Sequence, residues 1–395
     1  MKKSDFILIL FGILFISFNL RAPITAVGSV VDLIKEEYAL SNAVAGSITT
    51  LPLIAFAVIS PFVARLAGRY GHFRVMMCGL LLILAGEIIR SYTGMAGLFV
   101  GTVVLGVAIA IGNVIVPGII KTYFSERVGF VTSVYTSGMC VFAAVGAGIS
   151  MPLAKGLDLG WHHSLAVWVI LTAFTVLLWA PNLTHPHTPV KRAKGEERVN
   201  SIWKTPLGWW VTLFMGVQSL IFYSLVAWLP TIVLSKGMSE VFTGNMALLF
   251  QLMAIPATLV IPMLCDRYPN QKRLVMVTCF IYAAGMGLFI IGSDPISLTL
   301  AVILMALGMG GSISLSIAFI SLRTANSFRA AELSGMSQSA GYIFAALGPI
   351  ATGLIYDLMS SWTIPLCLFL FFILVLGFCG FYAARNCTVD VECVE

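Results

Sequence analysis

Twelve long apolar segments determine the fold of this chain of 395 residues. An α-helix needs about 20 consecutive apolar residues to cross the hydrocarbon core of a bilayer, and each segment reaches roughly that length. Only 10% of the residues are charged, whereas a soluble domain carries about 25%. We therefore expect an all-α membrane protein with twelve transmembrane helices in the lipid bilayer. The segments run over residues 5–33, 41–66, 73–91, 97–122, 129–153, 163–180, 206–234, 241–265, 273–292, 297–324, 334–358 and 362–384.

Lysine and arginine are distributed unevenly between alternate loops. Of these 23 residues, 18 fall in one set of loops and helix ends and four in the other, while Arg21 lies inside a span. Because positively charged loops stay in the cytoplasm, we expect both termini there and the protein in the cell (plasma) membrane. The net charge of +6 belongs to these loops, so it does not indicate a nucleic-acid partner. The four cations of the second set are Lys35, Arg90, Lys155 and Lys236.

One connection is longer and more polar than the others, and it separates two groups of six spans. We expect an N-terminal six-helix bundle over 1–181, a cytoplasmic linker over 182–205, and a C-terminal six-helix bundle with a short cytoplasmic tail over 206–395. The halves also match in sequence, since Phe142-Ala143-Ala144 falls on Phe344-Ala345-Ala346 at an offset of 202. Six is an even number of spans, so the repeats are parallel in the membrane. The chain thereby resembles the major facilitator superfamily, whose fold is two parallel six-helix repeats.

A loop motif strengthens this resemblance. Members of the superfamily carry an Asp-Arg pair between the second and third spans, where the acid helps to hold the two halves together on the cytoplasmic side. This chain has Gly68-Arg69 there, without the acid, while the second copy keeps Asp266-Arg267 at an offset of 198. The resemblance implies gating roles for Asp266, Arg267 and Arg69. It further implies that Asp266 contributes most of the latch.

Several stretches resemble a particular branch, the cyanate and 2-nitroimidazole transporter family (CynX/NimT), and come closer to its nitroimidazole transporters. The resemblance extends over nearly the whole chain. It implies a carrier of small anionic or nitro-bearing solutes that works by alternating access. The residues that carry it are Asn19-Leu20-Arg21, Thr50-Leu51-Pro52, Gly112-Asn113-Val114, Ala227-Trp228-Leu229-Pro230 and Leu333-Ser334-Gly335-Met336.

Arg21 interrupts the first apolar span. A guanidinium inside a membrane costs from about 2.5 kcal/mol to well over 10, depending on the method, so another side chain or a substrate has to compensate it. Asn19 adds an amide, and Pro23 removes a backbone donor, so we expect the helix to break at this point. We expect Arg21 and Asn19 to bind a substrate in the middle of the membrane. A structural ion pair or a cluster of backbone carbonyls is the alternative role of Arg21.

Glu87 is the acid nearest to Arg21 in depth. Arg90 follows three residues later on the same helix face, and we expect these two side chains to pair. Proton-coupled carriers usually hold an acid or a histidine within the membrane. With Glu87 paired locally, we favour facilitated transport or exchange. Coupling to protons, including those carried by an acidic substrate, stays open as the alternative.

Six further polar residues lie inside spans and complete the candidate substrate site. Asn113 lies near the middle of the fourth span, and Gln218 and Tyr223 lie on the face of the seventh span that corresponds to Arg21. Each could instead hydrogen-bond two helices to each other, which is the usual role of a single glutamine within a membrane. The six residues are Asn113, Gln218, Tyr223, Gln251, Gln338 and Tyr342.

Enzymatic and metal-binding functions have no support in the sequence. The five histidines lie in loops or at span ends, with no acid close enough in sequence to form a catalytic set. The eight cysteines lack the spacing of metal ligands, so we expect no metal and no cofactor. Two other classes remain as alternatives. One is a multidrug-type efflux carrier for bulky apolar compounds, and the other is a membrane receptor or scaffold that transports nothing.

Overall fold

The computed structural model describes residues 3–40, 42–184, 201–268 and 270–390. In this part of the chain, twelve helical segments are long and apolar enough to cross a membrane, as the sequence predicts. The first and sixth spans are each divided into two α-helices. The helices are α1 (Lys3–Asn19), α2 (Ala22–Glu37), α3 (Asn42–Tyr70), α4 (His72–Tyr92), α5 (Gly94–Tyr123), α6 (Val128–Met151), α7 (Gly160–Ala166), α8 (Trp168–Trp179), α9 (Pro206–Ser235), α10 (Glu240–Cys265), α11 (Lys272–Ile291), α12 (Pro295–Leu322), α13 (Ser327–Met359) and α14 (Thr363–Ala383).

The first span is broken at the position of the charged residue. α1 ends at Asn19 and α2 begins at Ala22, so Leu20 and Arg21 lie between two helices. Pro23 lies in the first turn of α2, where a backbone N–H has no partner within the helix and its loss does no harm. The predicted break is therefore confirmed, and it leaves Arg21 at the N-terminal end of α2.

The buried apolar side chains form three clusters. One contains only residues between Ile202 and Val389. A second is built mainly from α1 and α3 to α6 and continues across the boundary onto α12 and α13, and a third is built from α2, α7 and their neighbours. This arrangement fits a division into two six-helix halves. The proposed linker over 182–205 is described only at 182–184 and 201–205, and the rest of it lies outside the described residues.

The charged helix ends distinguish the two faces of the membrane-spanning region. On one face α3 ends with Arg69 and α5 ends with Lys121 and Tyr123, and α11 begins with Lys272. We call this face the basic side. The other face, here the opposite side, contains the junctions between α2 and α3 and between α9 and α10, where Lys35 and Lys236 lie.

The two halves come into very close contact at two glycines. A β-carbon on Gly129, at the start of α6, would collide with the carbonyl oxygen of Pro262 in α10. A β-carbon on Gly335 in α13 would lie 2.6 Å from the carbonyl oxygen of Ser60 in α3. Only glycine permits backbones to approach this closely. The halves are therefore packed tightly against each other from the basic side to about the middle of the membrane.

Candidate functional site

Arg21 reaches across the boundary between the two halves. Its Nη1 donates a hydrogen bond of 3.3 Å to the hydroxyl of Tyr223 on α9. The helix break positions it, because Arg21 is the residue that precedes α2. Among the described residues, the salt bridges join His162 to Glu37 and Arg329 to two acids, and none involves Arg21. The guanidinium therefore has a neutral partner from the other half.

A second chain of hydrogen bonds runs beside Arg21 and also crosses the boundary. The hydroxyl of Tyr135 on α6 donates to Oδ1 of Asn113 at 3.1 Å, and Nδ2 of Asn113 donates to the hydroxyl of Tyr342 on α13 at 3.2 Å. Arg21 interacts electrostatically with both tyrosines of this chain. We call Arg21, Asn113, Tyr135, Tyr223 and Tyr342 the interface cluster. The structure thus brings four of the residues predicted for the site together.

Tyr135 is the member of the interface cluster that sequence reasoning missed. It is 1% exposed and lies seven residues into α6. A phenol buried at that depth needs a hydrogen-bond partner, and Asn113 supplies it. The sequence signal for Tyr135 is a phenol inside an otherwise apolar span. What the sequence could not show is which face of α6 turns toward α5.

A cavity of about 330 Å³ lies between the halves on the opposite side of the membrane from the latch described below. Thr25, one helical turn beyond Arg21, lines it from α2, and Gln251 lines it from α10. Most of the remaining wall is apolar, with alanines of α6 facing Leu225, Pro230 and Phe250. The cavity therefore has an apolar wall, a few polar groups, and the interface cluster one turn deeper in the membrane.

Asn19 lies away from this cavity and uses its amide to join helices. Its Nδ2 donates to Oγ1 of Thr175 at 2.8 Å and to the carbonyl of Phe15 at 2.7 Å. Its Oδ1 accepts from Oγ1 of Thr172 at 2.6 Å, and the residue is 0% exposed. In this conformation Asn19 therefore links α1 to α8, which is the usual structural role of an amide inside a membrane.

Gln218 and Gln338 provide unused hydrogen-bonding groups near the interface cluster. Gln338 lies one turn before Tyr342 on α13, and its Oε1 has no hydrogen-bond partner among the described residues. Gln218 lies on α9, where its Oε1 accepts from Ser219 and its Nε2 lacks a described partner. Both residues are almost completely buried. A buried amide without a partner is costly, so these groups are available to a bound solute or to water.

Glu87 and Arg90 do not pair as the sequence suggested. Arg90 lies in the last turn of α4 and is 1% exposed, so it is buried within the protein. Its Nη1 donates to the carbonyl of Pro23 at 2.7 Å, while neither carboxylate oxygen of Glu87 has a described hydrogen-bond partner. The two groups interact electrostatically, but the expected ion pair in direct contact is not formed in this conformation, because the break in the first span presents a backbone carbonyl to Arg90.

Asp266 forms a latch between the two halves on the basic side. Its Oδ1 accepts from the backbone N–H of Gly129 at 2.7 Å, and its Oδ2 accepts from that of Phe130 at 3.0 Å. Both N–H groups belong to the first turn of α6, which begins at Val128. An acid at a helix N-terminus satisfies free donors and is attracted by the helix dipole. The described hydrogen bonds of this contact involve neither Arg267, which is exposed, nor Arg69, which lies over the ring of Tyr70.

The corresponding loop of the first half makes an apolar contact. A β-carbon on Gly68 would lie 3.0 Å from the ring of Phe328, in the first turn of α13. That helix is capped by its own residue Asn326, whose Oδ1 accepts from the backbone N–H of Arg329 at 3.0 Å. The acid that is missing at position 68 is thus replaced by a local cap and an aromatic ring.

Comparison with known proteins agrees with this architecture. A match to the Major Facilitator Superfamily covers residues 8–349. The chain belongs to this superfamily. It is therefore a multi-pass membrane transporter and not an enzyme.

Three relatives place the chain within the superfamily. It is 40% identical to an uncharacterized transporter, YycB, of Bacillus subtilis over 98% of this chain and 95% of that protein. It is 37% identical to the 2-nitroimidazole transporter of Escherichia coli over 96% of each. It is 24% identical to the cyanate transport protein CynX of Escherichia coli over 88% of this chain and 89% of that protein. The chain thus belongs to the CynX/NimT branch, close to the nitroimidazole transporter.

A solved structure shares the fold at low sequence identity. The transporter FucP in its outward conformation superposes with a TM-score of 0.75 at 14% identity, over 95% of this chain and 98% of that one. Identity this low supports a shared fold and says nothing about the solute.

Proposed function

We propose that this superfamily member moves a small anionic or nitro-heterocyclic solute by alternating access, with Arg21 as the electrostatic anchor. The solute enters the cavity between the halves and reaches the interface cluster at its inner end. Transport is secondary-active or facilitative. The observation that carries the proposal is a guanidinium at the boundary of the halves whose described hydrogen-bond partner is a neutral phenol.

Arg21 suits an anion or a nitro group for two reasons. Its planar fork presents parallel N–H donors that match two oxygens held in one plane. It also lies at the N-terminus of α2, where the helix dipole adds to the attraction for negative charge. The bond to Tyr223 is long at 3.3 Å, so a ligand oxygen can replace the phenol at little cost. Tyr223 and Tyr342 then serve as donors to the ligand from the second half.

The relatives support this class of solute. Proteins named for 2-nitroimidazole and for cyanate are 37% and 24% identical to this chain over the aligned residues. A nitro group and a cyanate ion each offer the electron-rich atoms that an arginine binds. Gln251, which lines the cavity, and Gln218 and Gln338, which hold spare donors or acceptors, complete the proposed site. Asn19 stays a predicted site residue that would have to give up its helix contacts to reach a solute.

A second candidate function rests on the cavity wall. Most of the lining side chains are apolar, among them Leu225, Leu229 and Phe250. Such a wall also suits a multidrug-type efflux carrier for bulky apolar compounds. The two functions differ in how they depend on charge, because an apolar compound needs nothing from Arg21.

We further propose that the basic side faces the cytoplasm and that the transporter lies in the plasma membrane with both termini inside. The 18-to-four distribution of lysine and arginine supports this orientation. In that orientation the halves are closed on the cytoplasmic side, and the cavity faces outward. Labelling a cysteine at position 194 from outside intact cells would contradict this topology.

A ligand panel on the purified transporter tests the proposal. Thermal stability is measured with cyanate, small carboxylates, 2-nitroimidazole, a quaternary ammonium ion and a bulky apolar dye. We expect the anions or the nitro compound to raise the melting temperature and the organic cation to have no effect, because a ligand that binds only the folded state stabilises it. Stabilisation by the dye alone would favour the second candidate function and contradict the anion site.

A further inference from the structure

Glu87 places a carboxyl group inside the first half of the transporter. The residue is 0% exposed, and neither of its oxygens has a hydrogen-bond partner among the described residues. A carboxylate removed from water is strongly destabilised unless a cation or several donors compensate it, and it takes up a proton instead. The surroundings of Glu87 therefore favour the neutral, protonated carboxyl in this conformation.

A polar neighbour of Glu87, Thr172 on α8, has no hydroxyl proton left to give to a carboxylate. The two side chains interact, but neither oxygen of Glu87 meets hydrogen-bond geometry. Its hydroxyl proton is already donated to Oδ1 of Asn19, at 2.6 Å. What Thr172 offers to Glu87 is thus a lone pair, which a protonated carboxyl can use as an acceptor and a carboxylate cannot.

Arg90 links Glu87 to the substrate site. It lies three residues along α4 from Glu87, yet its Nη1 donates to the carbonyl of Pro23 at 2.7 Å. Pro23 is two residues after Arg21, in the first turn of α2. The Nε and Nη2 of Arg90 have no described partner, so the guanidinium has donors to spare. Arg90 is the cation that an ionised Glu87 would attract, and in this structure it is bonded to the start of α2, next to Arg21.

Other charged groups on the helices packed against α4 lie toward its ends. α7 places His163 against the ring of Tyr92, the last residue of α4. α5 packs against Gly86 with backbone atoms and Leu105. The cations of α3 and α5 lie at the basic side: Arg65, Arg69 and Lys121. Among the described groups, Arg90 is therefore the charge that responds to Glu87.

We propose that Glu87 is a proton-binding residue that controls the break between α1 and α2. With Glu87 protonated, Arg90 stays on the Pro23 carbonyl and fixes Arg21 at the interface cluster. When the carboxyl O–H gives its proton to water, the carboxylate attracts Arg90 at i, i+3 spacing. Arg90 then leaves the Pro23 carbonyl, and the break is free to change its geometry. This proton site favours the proton-coupled alternative over facilitated transport or exchange, and it holds whichever solute the cavity accepts.

Infrared spectroscopy tests the proton site without any solute. Full-length transporter in lipid nanodiscs is titrated from acid to alkaline pH, and the carbonyl-stretch band of a protonated carboxylic acid in a dry environment is followed. We expect wild type to show this band at neutral pH and to lose it in alkali. Glu87→Gln should lack the band, and Glu126→Gln, which changes an exposed loop acid, should keep it. A band that is absent from wild type, or that survives in Glu87→Gln, overturns the proposal.

Cysteine labelling tests the link to the helix break. In a background with native cysteines replaced by serine, Ala143→Cys reports on the cavity that α2 also lines. The rate is divided at each pH by the labelling rate of free cysteine, so that the ionisation of the thiol cancels. We expect this normalised rate from outside to change several-fold over the pH range in which the infrared band titrates, and to stay at the low-pH value at every pH in Glu87→Gln. A flat normalised rate in wild type, or one that still follows pH in Glu87→Gln, contradicts the switch.

A second variant covers the case in which Glu87→Gln does not fold. Glu87→Asp keeps an acid on a shorter side chain, which changes its distance to Arg90 and to Thr172. We expect the titration midpoint of the band and that of the labelling to shift together. Two midpoints that move independently, or that stay at the wild-type value, would overturn the proposal.

Discussion

The two halves of the transporter contribute opposite chemistry at the two levels where they meet. At the interface cluster the first half supplies the charge, Arg21, and the second half supplies neutral phenols, Tyr223 and Tyr342. On the basic side the second half supplies the charge, Asp266, and the first half supplies backbone N–H groups. The repeats therefore share a backbone plan and divide the charges between them.

This division of charges between the halves explains how such an interface can open. A charge that meets another charge in a dry interface is hard to separate, because each group is left buried and unpaired. Here each charge meets neutral groups, and on separation those neutral groups are less costly to expose or to hydrate. The two corresponding loops on the basic side also avoid a contact between two charges. In the second half Asp266 accepts two backbone hydrogen bonds, and in the first half Gly68 packs under Phe328.

Among the variants that leave Arg21 in place, Asp266→Asn should have the largest effect on this comparison. The variant keeps the size of the side chain and one acceptor but removes the charge at the N-terminus of α6. We expect the closed basic side to lose about 1–2 kcal/mol, which changes the populations about 5- to 30-fold. Labelling of Ser133→Cys, buried at 1% exposure beneath the latch, measures the opening from the basic side.

The control for this experiment is Glu126→Gln in the exposed loop before α6. It removes an acid near the same helix without touching the latch. Equal labelling of Ser133→Cys in the Asp266→Asn and Glu126→Gln backgrounds would show that Asp266 does not hold the halves together.

Tyr223→Phe should have the next largest effect. It removes the hydroxyl that donates to the ligand in the proposed complex, and it keeps the ring. A neutral hydrogen bond contributes about 0.5–1.5 kcal/mol, so the dissociation constant for 2-nitroimidazole should rise roughly two- to tenfold. Tyr356→Phe is the matched control, since that ring stacks on Trp362 in the same half. A tighter complex in Tyr223→Phe would mean that the phenol only competes with the ligand for Arg21.

Gly68→Asp should have the smallest effect. It restores the acid that the superfamily motif carries in the first half, and it should favour closure of the basic side. Because Asn326 already caps α13 and Phe328 must move aside, we expect a gain of only about 0.3–1 kcal/mol. Reduced labelling of Ser133→Cys would confirm that the basic side is closed more firmly, and increased labelling would show that the new side chain does not fit.

The fold could be predicted almost entirely from the sequence. Spans are long, apolar and bounded by charges, and Pro23 with Arg21 marks the break in the first one, so local composition carries the information. The sequence also marks Arg21, Asn113, Tyr223 and Tyr342 as candidates for one site, because each is a polar side chain inside an apolar span.

What the sequence could not show is the rotation of each helix about its axis. Asn19 and Arg21 are two residues apart, but the break turns Asn19 toward Thr172 and Thr175 while Arg21 faces the second half. The same limit explains why the expected ion pair of Glu87 with Arg90 is not formed, since the competing acceptor is the backbone carbonyl of Pro23. The sequence does not show which backbone carbonyl will be free to accept a hydrogen bond.

The central claim is that Arg21, the charge that the first half supplies at the interface cluster, anchors the solute. The ligand affinity of Arg21 variants tests this claim most directly. Dissociation constants for 2-nitroimidazole and cyanate are measured by calorimetry on wild type, Arg21→Lys and Arg21→Ala, with melting temperatures as a check of folding. Losing a buried charge-assisted contact commonly costs about 2–5 kcal/mol. We therefore predict that the better of the two ligands binds more than tenfold more weakly to Arg21→Lys, which keeps the charge but not the fork, and that binding to folded Arg21→Ala is lost. Wild-type affinity in folded Arg21→Ala would contradict the account.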